Sequence, residues 1–450
     1  MKDPKVELLG CPENPQTMTV AAALGCFEER SSSEIMKELL SLPKEERLKK
    51  ERAVLKNSFG RGHGSVGDLV HFTFGIEDLS RVSTLFLCSP EYPEHLQQSL
   101  RRADANRGFH LPEAIKDSRL ANETEKSLNK TFDFYNRARA AGIPAEDARF
   151  VLPLCTKTNI TTTINARELC HLYLMSKRFG IPSEAARLVE KMVTLAGDKT
   201  PYLFKDLGFN YEPLSWYPSA QLFNSLNLSL NEILEQIWDL RGRGGRTVFM
   251  LGYLQPYFVT EWSMQRAVSN KVEAELANLK HVHFEFMLSM SLACFHQAVR
   301  QRTWNHSVEG IYGAVEDALQ NPESRTVVPP SVVKSEMLNE YKKVHHSLIE
   351  LYEKLTKAGI PSSEAIGVIP HSLKIHDLVH INGWNAVHSI GKRTCREAQW
   401  EIRIIARKMA TLMKEKLPAL GKYAEPQCVT YKQCPETNDC GYLEKRLFKN

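Results

Sequence analysis

Arg300 and Arg302 flank Gln301, and Gln297 stands one helical turn before the first arginine. Two arginines at i and i+2 cannot share one face of a regular helix. They suit a helix end or a turn, where both guanidinium forks can converge on one anion and grip a phosphate bidentately. Gln297 could read an amide-like or uracil-like edge, since its side chain carries both a donor and an acceptor. The polar run continues through Trp304, Asn305, Ser307, Glu309 and Tyr312. Structural ion pairing would use the same residues, so both readings stand at this level.

A second cluster comprises Asn382, Trp384, His388, Lys392 and Arg393, with Gln399, Glu401 and Arg403 downstream. His388 and Lys392 are spaced i, i+4, as neighbours on one helical face. Asn382 and His388 could hydrogen-bond a ring cofactor. Alternatively, Asn382 caps a helix and His388 is a satisfied, partly buried histidine. His376 and His380 share the i, i+4 spacing of helical metal ligands, but no HExxH glutamate or third ligand accompanies them, so no metal is assigned there. Cys428, Cys434 and Cys440 are evenly spaced near the end of the chain. Three thiols are one short of a full thiolate zinc set unless a histidine completes it, and a Pro/Asn-rich loop with free cysteines is the simpler reading. In the first half, residues 61 to 68 (RGHGSVGD) carry His63 and Ser65 among glycines. Backbone amides there could receive a phosphate, or the glycines could only make a turn.

The elements that position these side chains come in two copies. AGIPAEDARFVLP at 141 to 153 and AGIPSSEAIGVIP at 358 to 370 are displaced by 217 residues. The same displacement aligns Ile164-Asn165 with Ile381-Asn382, His171 with His388 and Glu184 with Glu401. Upstream, His71-Phe72-x-Phe74 matches His283-Phe284-x-Phe286. Each copy opens with an alternating, strand-like run, LVHFTFGI or HVHFEFML. A long helix then ends at AGIP, where Gly and Pro terminate it. A short extended piece follows, FVLPL or GVIPH, and then a second long helix, with Ile402, Ile405, Ala406 and Met409 as its apolar stripe in the second copy. The expected fold class is therefore α+β, and the family resemblance given below implies a small antiparallel sheet packed with long helices in each copy. No GxGxxG follows a strand, so a Rossmann dinucleotide site is not supported. The expected domains are a first repeat at 1–195, a connecting insert at 196–267 containing the Gly/Arg turn RGRGGR at 241 to 246, and a second repeat at 268–450.

Composition is consistent with this. The chain has 450 residues, too long for one ordinary core. At 42% hydrophobic and 25% charged it is not a disordered chain. A net charge of +5 with both signs mixed does not suggest a general nucleic-acid binder. No apolar stretch reaches the ~18 residues of a membrane span, and the N-terminus has no apolar signal core. The expected location is cytoplasmic, with ten scattered cysteines as mostly free thiols.

Taken together, these segments resemble the flavin-dependent thymidylate synthases. Gly62-His63-Gly64-Ser65 with Asp68-Leu69 looks like the family's H-x-S/T-x-x-E-H loop, and HFTFGIEDLSR like its F-T-F and S-R segment. Gln297 with Arg300-Gln301-Arg302 is similar to the family's Gln and Arg-His-Arg signature. Asn165-Ala166-Arg167 matches the start of a later helix, and Arg393 with Ala398-Gln399-Trp400-Glu401-Ile402-Arg403 its continuation. The resemblance covers most of both repeats. It implies FAD as cofactor, NADPH and methylenetetrahydrofolate as co-substrates, and reductive methylation of dUMP. Carried over residue by residue, it implies that Arg300 and Arg302 act in catalysis and on flavin and nucleotide phosphates. It also implies that Gln297, Glu309, Arg393 and Arg167 bind substrate, and that His63, Ser65, Asn382 and His388 touch the flavin. The family is tetrameric with sites at subunit junctions, so a homodimer forming a pseudo-tetramer is expected here.

The sequence also departs from the family. Gln301 replaces the signature's middle histidine, Trp384 replaces a second-motif arginine, and Gly310 and Tyr312 stand where the family has Ser-x-Arg. In the first copy Cys88 and Pro90 occupy the arginine positions, with only Ser99 and Arg101 hinting at the later run, and Ser176 stands for the later arginine. One expectation is that the two copies complement each other in a mixed site. The alternatives are a diverged flavin-dependent enzyme acting on another pyrimidine or related substrate, and a non-catalytic homologue.

Overall fold

Phe72, Phe74 and Ile76 are buried while Thr73 and Gly75 between them are only partly covered, and this period-two pattern makes His71–Ser80 a half-buried strand. The computed structural model describes residues 4–206, 222–223, 247–437 and 439–447; the Gly/Arg run at 241 to 246 lies outside the described residues. The first sheet consists of β1 (Lys5–Gly10), β2 (His71–Ser80), β3 (Glu94–Gln97) and β4 (Lys157–Asn165), in the order β1-β2-β4-β3. The second consists of β5 (Val248–Leu254), β6 (His283–Ser291), β7 (Asn305–Val308) and β8 (Lys374–Asn382), in the order β5-β6-β8-β7. All neighbours in both sheets are antiparallel. Each sheet packs with long helices, giving the expected α+β class twice over.

Registers coincide as well as strand orders. His71 pairs Asn165 in the first sheet and His283 pairs Asn382 in the second. β5 comes from the segment read above as the connecting insert. By internal contacts the chain divides into two units: unit 1 holds residues up to Pro218 plus Pro330–Pro370, and unit 2 holds Ser219–Pro329 plus His371–Asn450. Unit 1 thus includes the helix Leu338–Lys357 of the second repeat beside Ala121–Ala140 of the first. Lys354 meets Glu123 at 2.6 Å and Arg137 meets Glu340 at 3.0 Å, so these helices run antiparallel. Exposed pairs of this kind contribute little. The buried seam of Leu128, Phe134, Tyr341 and Leu348 holds the helices together.

AGIP ends both helices as expected. Gly142 and Gly359 are left-handed, with φ of 85° and 89°. In the first case Ile143 N donates to Ala138 O at 3.0 Å, and in the second Ile360 N donates to Leu355 O at 3.1 Å. These are the outer bonds of Schellman caps.

Two local expectations are corrected. FVLPL and GVIPH are extended only in part: 3-10 turns occupy Arg149–Val151 and Ile366–Val368, the backbone is extended at Leu152 and Ile369, and the long strands follow as β4 and β8. The inward positions of β4 include Thr158 and Thr162, and β8 buries His376 and Asp377. Polar residues at inward positions hid the apolar alternation. Nor is the next element one long helix. In unit 1 it divides into Ala166–Ser176 and Ser183–Gly197, with Gly180 left-handed between them. In unit 2 a short α-turn Gly383–Asn385 runs into a π-helix Ala386–Ile390 and a last turn Gly391–Arg393, before Trp400–Lys416 begins.

Each unit clamps its central strand in the same way. Glu184 is buried and accepts from Ser80 N at 3.3 Å and from the hydroxyls of Ser80 and Ser83. Glu401 is buried and accepts from Ser291 N at 2.8 Å and from its hydroxyl. Both serines also cap the helix that follows, accepting from Ser83 N and Cys294 N.

Each unit also buries a histidine that stays neutral. Burial pushes His345 in unit 1 down to about 3, helped by His346. Burial pushes His376 in unit 2 down to about 3, helped by Arg325 and Lys374. An unfolded histidine titrates near its ordinary 6.5. Below that pH the unfolded chain binds a proton that the folded chain refuses, so stability falls as pH drops from about 6.5 towards 3 and is flat above. Each histidine is expected to remove roughly 2 kcal/mol by pH 5. Urea unfolding at pH 7 and pH 5 checks this. The His345→Leu variant should show a smaller pH difference than the parent, and an unchanged difference would contradict the assignment.

Candidate active site

The first cluster sits where a helix gives way to a strand. Leu292–Ala298 ends the helix, Arg300 to Trp304 form the turn, and β7 begins at Asn305. Arg300 and Arg302 are exposed on this turn, the geometry their i, i+2 spacing requires. Gln301 turns inward. With its amide oxygen facing the guanidinium, it accepts from Arg393 Nε at 3.2 Å and also from Nη2. Trp304 is buried, and its indole N–H donates to Ser389 Oγ at 2.6 Å. The arginine turn is therefore fastened at two points to the stretch Gly383–Arg393, and Arg300, Arg302 and Arg393 come to one region of unit 2. Gln297 precedes the turn, and its Nε2 is buried without a hydrogen-bond partner. A buried donor left unmade costs about 1–3 kcal/mol, so an acceptor from a ligand would be stabilising there.

The second cluster begins at Asn382, which caps its helix: its side-chain oxygen accepts from Asn385 N at 2.9 Å. Asn165 does the same for Glu168 N at 2.8 Å in unit 1. The capping alternative for Asn382 is thus realised. Gly383 is fixed by close packing, since a Cβ there would lie 2.8 Å from Val282 Cβ and 2.9 Å from Leu279 O. His388 is exposed on the π-helix and stacks with Trp384, ring centroids 6.0 Å apart at 26°. Both line a cavity of about 270 Å³ with Lys271, Val387, Glu425 and Gln427. π-Helical turns concentrate at functional sites. The equivalent helix in unit 1, Ala166–Ser176, is regular.

Other sequence-predicted residues fall elsewhere. Glu309 is buried, and both of its oxygens accept from Arg325 at 2.8 Å. That removes its carboxylate from the set able to meet a substrate. Its neighbour in the run was plain in sequence, but Arg325 lies in no motif. In unit 1, Arg167 pairs with Asp68 at 3.1 Å, so the loop at 61 to 68 does meet the Asn-Ala-Arg helix. Gly67 permits this approach: a Cβ there would lie 3.2 Å from Arg167 N and 2.6 Å from Phe59. His63 and Ser65 are exposed on the same loop. His376 and His380 lie on a strand, not a helix. His376 hydrogen-bonds Ser289 at 2.7 Å, and His380 stacks with His283 at a centroid distance of 4.9 Å. Cys88 is buried, capping the helix Arg81–Leu87. Sequence reasoning missed Lys271 and Glu425. It placed Trp384 in the second cluster and at a lost arginine position, but drew nothing from its i, i+4 spacing to His388, which signalled the stack.

The fold and this cluster define an α+β chain of two like units, the second bearing a cationic turn beside an aromatic-walled cavity. The chain belongs to the thymidylate synthase complementing protein family, whose pattern matches residues 7–202 and again 270–419. It is 31% identical over 209 residues to a flavin-dependent thymidylate synthase of Geobacter sulfurreducens, covering 45% of this chain and 87% of that one. A flavin-dependent thymidylate synthase of Pyrococcus furiosus is 31% identical over 194 residues, covering 39% and 79%. Among solved structures, a UMP/dUMP methylase of Streptomyces cacaoi superposes with a TM-score of 0.38 at 20% identity, covering 45% of this chain and 94% of that one. No helix among the described residues is long and apolar enough to cross a membrane.

Proposed function

We propose that unit 2 binds FAD and a pyrimidine nucleotide, and that the chain carries out the reductive methylation of dUMP. A methylene from methylenetetrahydrofolate and a hydride originating on NADPH become the new methyl group, while the ring C5 hydrogen leaves as a proton. The observation that carries this reading is the Gln301–Arg393 contact, which brings Arg393 to the turn that bears Arg300 and Arg302.

The residues fit the groups they would hold. Arg300, Arg302 and Arg393 offer forked donors to phosphate. The Gln297 Nε2 offers a donor to a pyrimidine carbonyl. Trp384 and His388 offer a stacked aromatic wall to a flat ring. The cavity of about 270 Å³ is just below the ~300–1,000 Å³ usual for small-molecule pockets, so it accommodates a ring system and leaves the remainder of a dinucleotide outside. Bound flavin would supply the two-electron relay between NADPH and the substrate. The protein's part is positioning, and charge that polarises the pyrimidine.

A second reading has its own support. Gly310 and Tyr312 stand at the Ser-x-Arg positions, Tyr312 is buried, and the carboxylate just before them, Glu309, is spent on Arg325. One phosphate-binding arginine is thus replaced, which favours a related pyrimidine substrate over dUMP itself.

Purified chain is expected to carry the visible absorbance of oxidised flavin or to acquire it with added FAD. Reduced protein mixed with dUMP and methylenetetrahydrofolate should form dTMP; activity only with another pyrimidine nucleotide would select the second reading. The Arg300→Ala variant should lose about 100-fold in kcat/KM, on the order of 3 kcal/mol. A colourless chain that takes up no FAD overturns both readings, and unchanged flavin and nucleotide binding in that variant overturns the role of Arg300.

A further inference from the structure

Cys428, Cys434 and Cys440 are not alone. Cys395, on the turn between the Gly391–Arg393 and Trp400–Lys416 helices, lines the same cavity as all three. We propose that Cys395, Cys428, Cys434 and Cys440 form a tetrathiolate zinc site that fastens the C-terminal segment to the turn following Arg393.

Size, donor chemistry and charge all favour an ion. The cavity is about 30 Å³, room for an ion or a water molecule and far too small for a nucleotide or flavin ring. Four soft sulfur donors are the set that closes a structural zinc site, and thiolates select zinc over the hard cations. A zinc ion with four thiolates carries a net charge of about −2. Lys392, Arg396 and Arg407 line the same cavity together with Glu397 and Glu436, a small positive excess that would offset part of that charge from the outer shell. All four cysteines are free thiols, and Cys428 is buried.

The surrounding chain needs such a fastening. After Pro426 the described segment offers only the short helices Gln427–Tyr431 and Tyr442–Leu447, with left-handed turns at Lys432 and Gly441. Segments that bury so little are commonly stapled by metal or disulfide. Its approach is close at one point: a Cβ on Gly391 would lie 2.7 Å from Glu425 O. Among the described residues no group of three or more His, Cys, Asp and Glu side chains is already set at metal-ligating geometry. Zinc binding would therefore draw the sulfurs inward, the thiols losing their protons to solvent, as in other sites that order with their metal.

The test uses the full chain purified under reducing conditions without chelator. Elemental analysis should find about one zinc per chain, removed by a strong chelator and restored by zinc chloride. Cobalt(II) added to the stripped chain should give the intense sulfur-to-metal charge-transfer absorption of a tetrathiolate centre. Cys395→Ser and Cys434→Ser should each lower retained zinc about tenfold while the near-ultraviolet signal of the folded chain persists. A wild-type chain that holds no zinc and gives no cobalt–thiolate band overturns the proposal, whatever the variants do. So does a disulfide among these cysteines in the freshly reduced, zinc-treated protein, or full zinc retention in both variants.

Discussion

Arg325→Ala is expected to destabilise unit 2 by about 3–5 kcal/mol, the largest stability loss foreseen for a single substitution in this chain. Arg325 and Glu309 face each other as two parallel forks, with Nη1 and Nη2 each 2.8 Å from a carboxylate oxygen. Their side chains are 5% and 6% exposed. Arg325 Nη1 also donates to Lys374 O at 3.2 Å, and Nε donates to Asp317. Burial works against the Arg325 charge, but Glu309 and then Asp317 outweigh it and hold the guanidinium more firmly protonated than usual. Alanine removes the counter-charge and leaves Glu309 as a buried anion whose one remaining hydrogen bond among the described residues is from the His376 backbone N–H, at 3.0 Å. The loss is thus the cost of a stranded charge, larger than the net contribution of the intact pair. Replacing both partners, as in Arg325→Met with Glu309→Leu, should recover most of the stability. Urea unfolding followed by tryptophan fluorescence reports unit 2 through buried Trp304. A midpoint for the Arg325→Ala chain equal to the parent's, at equal slope, would show that the pair is not a structural brace.

How much of this was legible in the sequence depended on the range of the interaction. The duplication, the FTF-type strands and the AGIP caps are written in local patterns, because period-two alternation and a left-handed glycine act over a few residues. The turn at Arg300–Arg302 was legible too, since i, i+2 spacing cannot converge on a helix. β4 and β8 were not, because the polar residues Thr158, Thr162, His376 and Asp377 are buried there and break the apolar pattern. Long-range pairings were also silent. Nothing in NPESRTVV announces Arg325 as the partner of Glu309, nothing near Cys395 points to the cysteines of the tail, and Gln301 read as a missing histidine rather than as the ligand of Arg393. Such pairs are set by how strands and turns are brought together, which single-residue spacing does not encode.

That Gln301–Arg393 contact supports a second strong expectation. Gln301→Glu should weaken nucleotide binding about 100-fold, on the order of 3 kcal/mol, while leaving the fold as stable as before or slightly more so. The substitution is nearly isosteric and keeps an oxygen where Arg393 Nε and Nη2 donate. What changes is charge. A neutral amide orients the guanidinium without itself cancelling the positive charge. A carboxylate would orient it equally well but neutralise it, and would repel a phosphate directly. Gln301→Ala separates the two effects: Arg393 keeps its charge and loses its anchor, so binding should fall by only about tenfold. Gln301 is in this sense a positioning residue, and the order of the three chains is its signature. Titration calorimetry with dUMP, run at two salt concentrations, measures it. The parent and the alanine variant should lose affinity with added salt, whereas the glutamate variant should lose less, because one of the three attractive charges is already cancelled. If the glutamate variant binds as tightly as the alanine variant, Arg393 does not meet the ligand's negative charge, and the nucleotide phosphate must be held by Arg300 and Arg302 alone.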